Sequence, residues 1–218
     1  MRLDDLLILL YVICNMKKLH IACLGDSLTY GYGVRREETW VFLAGRELTP
    51  DVVLHNHGLN GDTTIGMLER LHSNILPARP GVVLLMGGAN DIALEGSWTS
   101  ASTNMPIMIR NAAAESIIPL VGIPLPFIPP PHSEVDSHTD WAKAAAEYDH
   151  YAHWLLGFCS SSGVQVVDFR ACFEEDVRCT GDTPGSYFFD GLHFAIKGHQ
   201  VLATCMTENT RALFTQKI

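Results

Sequence analysis

The sequence predicts an α/β domain built on a parallel sheet. Short apolar runs alternate with helix-patterned stretches along the chain, the runs are continuous rather than alternating in polarity, and glycine-containing polar turns follow several of them. Continuous Val/Ile/Leu runs are how strands buried on both faces of a parallel sheet read. Strand–helix alternation implies right-handed crossovers and a helix–sheet–helix sandwich.

Taken in order, the predicted strands cover residues 19–24, 52–56, 82–86, 117–122 and 164–169. The predicted helices cover about 38–48, 63–76, 103–115, 139–159 and 195–214. In the second helix, Ile65, Leu68, Leu71 and Ile75 recur at helical spacing, which gives one apolar face against a sheet. Ligand sites in such sheets form at the carboxyl ends of the strands, so the residues after each strand carry the functional information.

With 218 residues, of which 47% are hydrophobic, the chain fits one domain with a substantial core. The formal net charge of −9 opposes nucleic acid and anionic membranes as partners, and no Lys/Arg cluster offsets it. Six cysteines show no CxxC pair and no metal-ligand spacing. Cys172 and Cys179 are the nearest pair; the expectation is that they stay reduced, consistent with a reducing compartment. Residues 6–14 form an apolar run of signal-peptide length. Asp4 and Asp5 precede it where positive charge is expected, and no small-residue cleavage site separates it from Met16-Lys17-Lys18. It is too short to span a bilayer. Residues 1–15 therefore read as an extension or an upstream start, and 16–218 as the domain. The expected compartment is the cytoplasm, with a secreted or periplasmic form as the alternative if the run is a signal.

Three strand ends and one late loop stand out: Gly25-Asp26-Ser27, Asn56-His57-Gly58-Leu59-Asn60-Gly61-Asp62-Thr63, Gly87-Gly88-Ala89-Asn90-Asp91 and Asp190-Gly191-Leu192-His193. Each alone is an ordinary turn or cap. Together they supply what acyl transfer needs. A serine hydroxyl requires a base, the base an orienting acceptor, and the oxyanion fixed donors. Ser27 can be the nucleophile, His193 the base and Asp190 its acceptor. The backbone N–H groups of Ser27 and Gly61, with the Asn90 amide, can form the oxyanion hole. Asp26 reads as a structural acceptor that holds the nucleophile turn.

These four blocks, in this order and spacing, resemble the SGNH hydrolases, also called GDSL-type lipases and esterases. The resemblance covers about residue 18 to the C-terminus. It implies a flavodoxin-like three-layer α/β/α sandwich with five parallel strands. It also implies that Ser27, Gly61, Asn90 and His193 take the family's Ser, Gly, Asn and His roles, with Asp190 completing a triad. The block 56–63 looks most like the bacterial arylesterase, lysophospholipase and thioesterase branch. Two departures matter: Phe194 follows His193 where many members carry proline, and Gly58 is a second candidate for the glycine donor.

The proline-rich stretch Pro124-Leu125-Pro126-Phe127-Ile128-Pro129-Pro130-Pro131 is too stiff and donor-poor for sheet or helix. It reads either as a connector or as an apolar wall of the acyl pocket carrying Leu125, Phe127 and Ile128, with Leu192 beside them. Asp149, His150 and His153 sit at helical spacing without a further ligand, so no metal is expected. A dinucleotide or P-loop reading fails because Gly25, Gly31 and Gly33 do not give the required spacing. The expected protein is thus a cofactor-free serine esterase acting on a small-molecule acyl ester, thioester or lysophospholipid. The alternatives are a carbohydrate O-acetylesterase, a non-catalytic acyl- or carboxylate-binding protein, and a phosphate-ligand flavodoxin-like module.

Overall fold

The computed structural model describes residues 18–128 and 139–215. The N-terminal extension and Pro129-Pro130-Pro131 lie outside these. Five strands, β1 (Leu19–Gly25), β2 (Val52–Gly58), β3 (Val82–Met86), β4 (Ile118–Ile123) and β5 (Gln165–Asp168), form one sheet. Every pair is parallel and the spatial order is β2-β1-β3-β4-β5. That is the flavodoxin-like order, whose ligand crevice opens where the chain direction reverses, between β1 and β3.

Eight α-helices accompany the sheet among the described residues: α1 (Ser27–Tyr30), α2 (Trp40–Leu48), α3 (Thr64–Arg70), α4 (Ala89–Glu95), α5 (Thr99–Ala114), α6 (Trp141–Ser162), α7 (Phe169–Thr180) and α8 (Ile196–Thr215). The α3 helix runs on through a π-helical turn, Leu71–Ile75, into a last turn at Leu76–Ala78. α8 packs on α2 and α7, whereas α3, α5 and α6 form the other layer. β3 is buried throughout, and its five residues form the centre of the core with Ile21, Leu24, Trp40 and Val121. The edge strand β2 is half exposed, so its carboxyl end carries His55 and His57 rather than apolar residues.

Local chemistry explains most boundaries. The Thr39 hydroxyl accepts from Phe42 N–H at 3.3 Å and starts α2, while the Asp140 and Asp168 carboxylates cap α6 and α7. Gly163 and Gly181 end α6 and α7 in the left-handed conformation. Three helices, α1, α4 and α7, are absent from the sequence reading. The first two are too short for a periodic signal, and α7 begins inside the stretch read as the fifth strand.

One cysteine expectation is overturned. Cys172 on α7 is disulfide-bonded to Cys205 on α8, 33 residues on, whereas Cys179 is free and exposed. Spacing along the chain hides this bond, because Cys172 and Cys205 are 33 residues apart and lie on adjacent, packed helices. The residue argument for a reducing compartment falls with it.

Candidate active site

The nucleophile turn follows from strand geometry. β1 ends at Gly25, Asp26 caps α1, and Ser27 is the first residue of that helix. The cap is Asp26, not Ser27: its Oδ1 accepts from Leu28 N–H at 2.9 Å. Asp26 is 1% exposed, and burial pushes its carboxyl up to about 7 against the Leu28 hydrogen bond and the nearby His193.

Ser27 Oγ lies 3.1 Å from His193 Nε2, and His193 Nδ1 lies 2.6 Å from Asp190 Oδ2. The other Asp190 oxygen accepts from the backbone N–H groups of Leu192, at 3.0 Å, and His193, at 2.7 Å. Burial raises the Asp190 carboxyl, but these three hydrogen bonds outweigh it and leave the group below its ordinary range. Asp190 is therefore an ionised acceptor that fixes the imidazole and the proton on Nδ1.

Two loops carry the remaining candidate donors. Gly61 stands at φ +73°, a conformation that favours glycine, and no atom lies within 4 Å of where its Cβ would be. Among the described residues nothing accepts from its N–H. The rival Gly58 spends its N–H on Asn56 Oδ1 at 2.9 Å. Asn90 lies in the first turn of α4, and its Nδ2 donates to the Asp62 carbonyl at 2.8 Å, which ties the Asn90 turn to the Gly61 loop. Asp91 is buried and accepts from Thr64 N–H and Oγ; burial raises its carboxyl and the Thr64 bonds oppose this.

Arg70 is a residue the sequence reading missed. Its guanidinium donates to the carbonyls of Gly25 at 2.8 Å and His57 at 2.6 Å, and pairs with Asp62. One side chain thus clamps the ends of β1 and β2 to the Gly61 loop. An arginine on a helix that also carries Leu68 and Leu71 gives no sign of this in sequence, because its three acceptors lie 8, 13 and 45 residues away.

The expected acyl wall is not open. Leu125 and Phe127 are 2% and 7% exposed, and the Phe127 ring stacks on Tyr148 at 4.1 Å between centroids. They serve the core because α6 brings an aromatic ladder against them. Ile128 is half-buried, and its N–H donates to Gly191 O at 2.8 Å, which buttresses the loop of Asp190 and His193. Leu192 is half-buried in that loop. Asp149 accepts from Arg170, and His153 bonds the Asp149 carbonyl. Among the described residues no three His, Cys, Asp or Glu side chains gather as a metal site.

Hydrogen bonds thus link the four blocks at the carboxyl ends of β1, β2 and β3, as a hydrolase of the GDSL class requires. The chain belongs to the GDSL-like lipase/acylhydrolase family, whose model matches residues 23–201. It is 30% identical over 128 residues to esterase TesA of Pseudomonas aeruginosa, covering 56% of this chain and 64% of that protein. It is 34% identical over 108 residues to an arylesterase of Vibrio mimicus, covering 46% of this chain and 54% of that one. The matched segment spans less than two thirds of each relative. A lipolytic G-D-S-L family structure from Veillonella parvula superposes with a TM-score of 0.71 at 20% identity, over 92% of this chain and 100% of that one, and supports the fold. Among the described residues no helix is long and apolar enough to cross a membrane.

Proposed function

We propose that the protein is a serine esterase that hydrolyses carboxylic esters of small molecules through an acyl-enzyme on Ser27. The observation that carries this reading is the unbroken hydrogen-bond chain from Ser27 Oγ through His193 to Asp190, at 3.1 and 2.6 Å. Ser27 Oγ attacks the ester carbonyl carbon while its proton passes to His193 Nε2. The carbonyl π pair moves onto oxygen, where the Ser27 and Gly61 N–H groups and the free Asn90 N–H stabilise it. The tetrahedral intermediate collapses, the bond to the leaving oxygen breaks, and that oxygen takes the proton from Nε2. Water then enters, gives a proton to His193 Nε2 and attacks the acyl carbon; the bond from that carbon to Ser27 Oγ breaks, Oγ takes the proton back from Nε2, and the acid leaves. Each step uses only side chains and backbone groups of this chain.

A fluorophosphonate probe tests the reading directly. The folded protein is expected to carry one adduct on Ser27 by peptide mass spectrometry, and Ser27→Ala to carry none. Ester turnover should fall in parallel by about 10⁴-fold or more. Folded wild-type protein without an adduct and without turnover of any ester or thioester in a graded acyl panel would overturn it.

A further inference from the structure

The catalytic reading leaves two large exposed aromatics beside His193 without a role. Tyr32 is 46% exposed and Phe189 51% exposed. Their ring centroids lie 4.6 Å and 5.7 Å from the imidazole, and 6.1 Å from each other. The Phe189 ring is within 17° of parallel to the imidazole. We propose that Tyr32 and Phe189 form the subsite for the leaving alcohol and select flat, aromatic alcohols over aliphatic ones. This rests on the esterase reading above and extends it to substrate class.

The placement follows from the chemistry. In collapse of the tetrahedral intermediate the leaving oxygen takes its proton from His193 Nε2, so it must come within hydrogen-bond reach of that atom. Whatever the oxygen carries then lies on the histidine side of the crevice, away from the oxyanion donors on the Gly61 and Asn90 loops. The surface waiting there is aromatic. An exposed ring pair offers a π face to a flat group and gains from offset or edge-on stacking beyond area burial.

The backbone that carries each ring is tied to a catalytic residue. Tyr32 N–H donates to Ser27 O at 3.1 Å, and Phe189 N–H donates to His193 O at 3.0 Å. The Phe189 ring is wedged onto the backbone of Gly33, where a Cβ would come within 2.2 Å of its Cε1. A preorganised aromatic face costs little ordering on binding. Side chains placed only to shield the imidazole would be expected to bury their outer faces, whereas these leave about half their surface to solvent.

The test holds the acyl group constant. Benzyl acetate and cyclohexylmethyl acetate match in bulk and release alcohols of similar acidity, but only the first carries a flat ring. Wild type is expected to favour benzyl acetate in kcat/KM by about tenfold, the size of one aromatic contact. Phe189→Leu and Tyr32→Leu, which keep apolar bulk, should each bring the ratio toward one, and the ethyl butyrate to ethyl acetate ratio should not move. A benzyl preference unchanged in both variants would overturn the subsite, as would an equal fall on every ester, which marks a shield alone. A change confined to the acyl-length ratio would overturn it too. Fluorophosphonate labelling of Ser27 is run on every variant. Labelled protein with no benzyl preference sinks the subsite alone, whereas unlabelled, inactive wild type sinks the esterase reading and the subsite together.

Discussion

The side-chain amide of Asn90 has two N–H groups, and one of them is spent on the Asp62 carbonyl. That bond orients the amide and leaves the second N–H for the oxyanion. Asn90→Ala therefore removes a charge-stabilising donor and a tie to the Gly61 loop at once. We expect kcat to fall by about 10²–10³, the scale of one oxyanion donor, with KM changed by a few-fold at most. A loss seen only in KM would place Asn90 in ground-state binding instead. At this scale the sequence was informative about chemistry and silent about geometry. Ser27, Asn90, Asp190 and His193 are read from four short blocks because each residue type has a definite chemical use. Arg70 is not readable, because its value lies in three carbonyl and carboxylate partners that only the fold brings within reach. Phe127 shows the opposite case: a large apolar residue in a proline-rich loop reads as a connector or a pocket wall, and only the fold shows Tyr148 of α6 stacked on it.

The elements that carry the site also carry two buried groups with opposite responses to pH. His199 on α8 is 1% exposed, and its Nδ1 accepts from Trp40 N–H at 3.3 Å. Burial lowers its pKa from 6.5 to about 4. The fold thus holds it neutral, and its contribution, about 3 kcal/mol, is present above pH 6.5 and lost as the pH falls toward 4. Asp26, the cap of α1, is raised by burial from 3.8 to about 7, so its contribution is present at low pH and lost as the pH rises through that window. Between pH 4 and 6.5 the two slopes oppose each other. Urea unfolding across that range should show His199→Gln losing stability as pH rises, relative to wild type, and Asp26→Asn gaining it. Parallel profiles for all three proteins would show that neither group titrates on unfolding as its burial requires. Sequence periodicity locates α2, α3, α5, α6 and α8 to within a few residues, since each is long and one-sided. It gives no access to the burial of these two groups, which depends on what packs over the helix ends.

At the scale of the molecule, the β2-β1-β3-β4-β5 order puts the carboxyl ends of β1 and β3 at the reversal point, which is why the Ser27 and Asn90 turns follow adjacent strands although 63 residues separate them. His193 arrives from another direction. It sits on the loop between α7 and α8, and the Cys172–Cys205 disulfide joins those two helices on either side of it. The bond therefore closes a 33-residue loop of chain that contains Asp190, His193 and the Phe189 ring. Closing a loop of that length restricts the unfolded chain by about 4 kcal/mol on the loop-entropy account. Replacing both cysteines, Cys172→Ser with Cys205→Ala, should lower the urea midpoint by the equivalent of roughly 2–4 kcal/mol. Ester turnover without denaturant should stay within about twofold of wild type, because Asp190 and His193 are held by their own hydrogen bonds and by Ile128 rather than by sulfur. Thiol reductant on wild type should reproduce the shift, and should do nothing to the double variant. If instead turnover in native buffer collapses with the disulfide while the unfolding midpoint holds, the bond acts on the histidine loop locally, and the unfolded-state account is wrong.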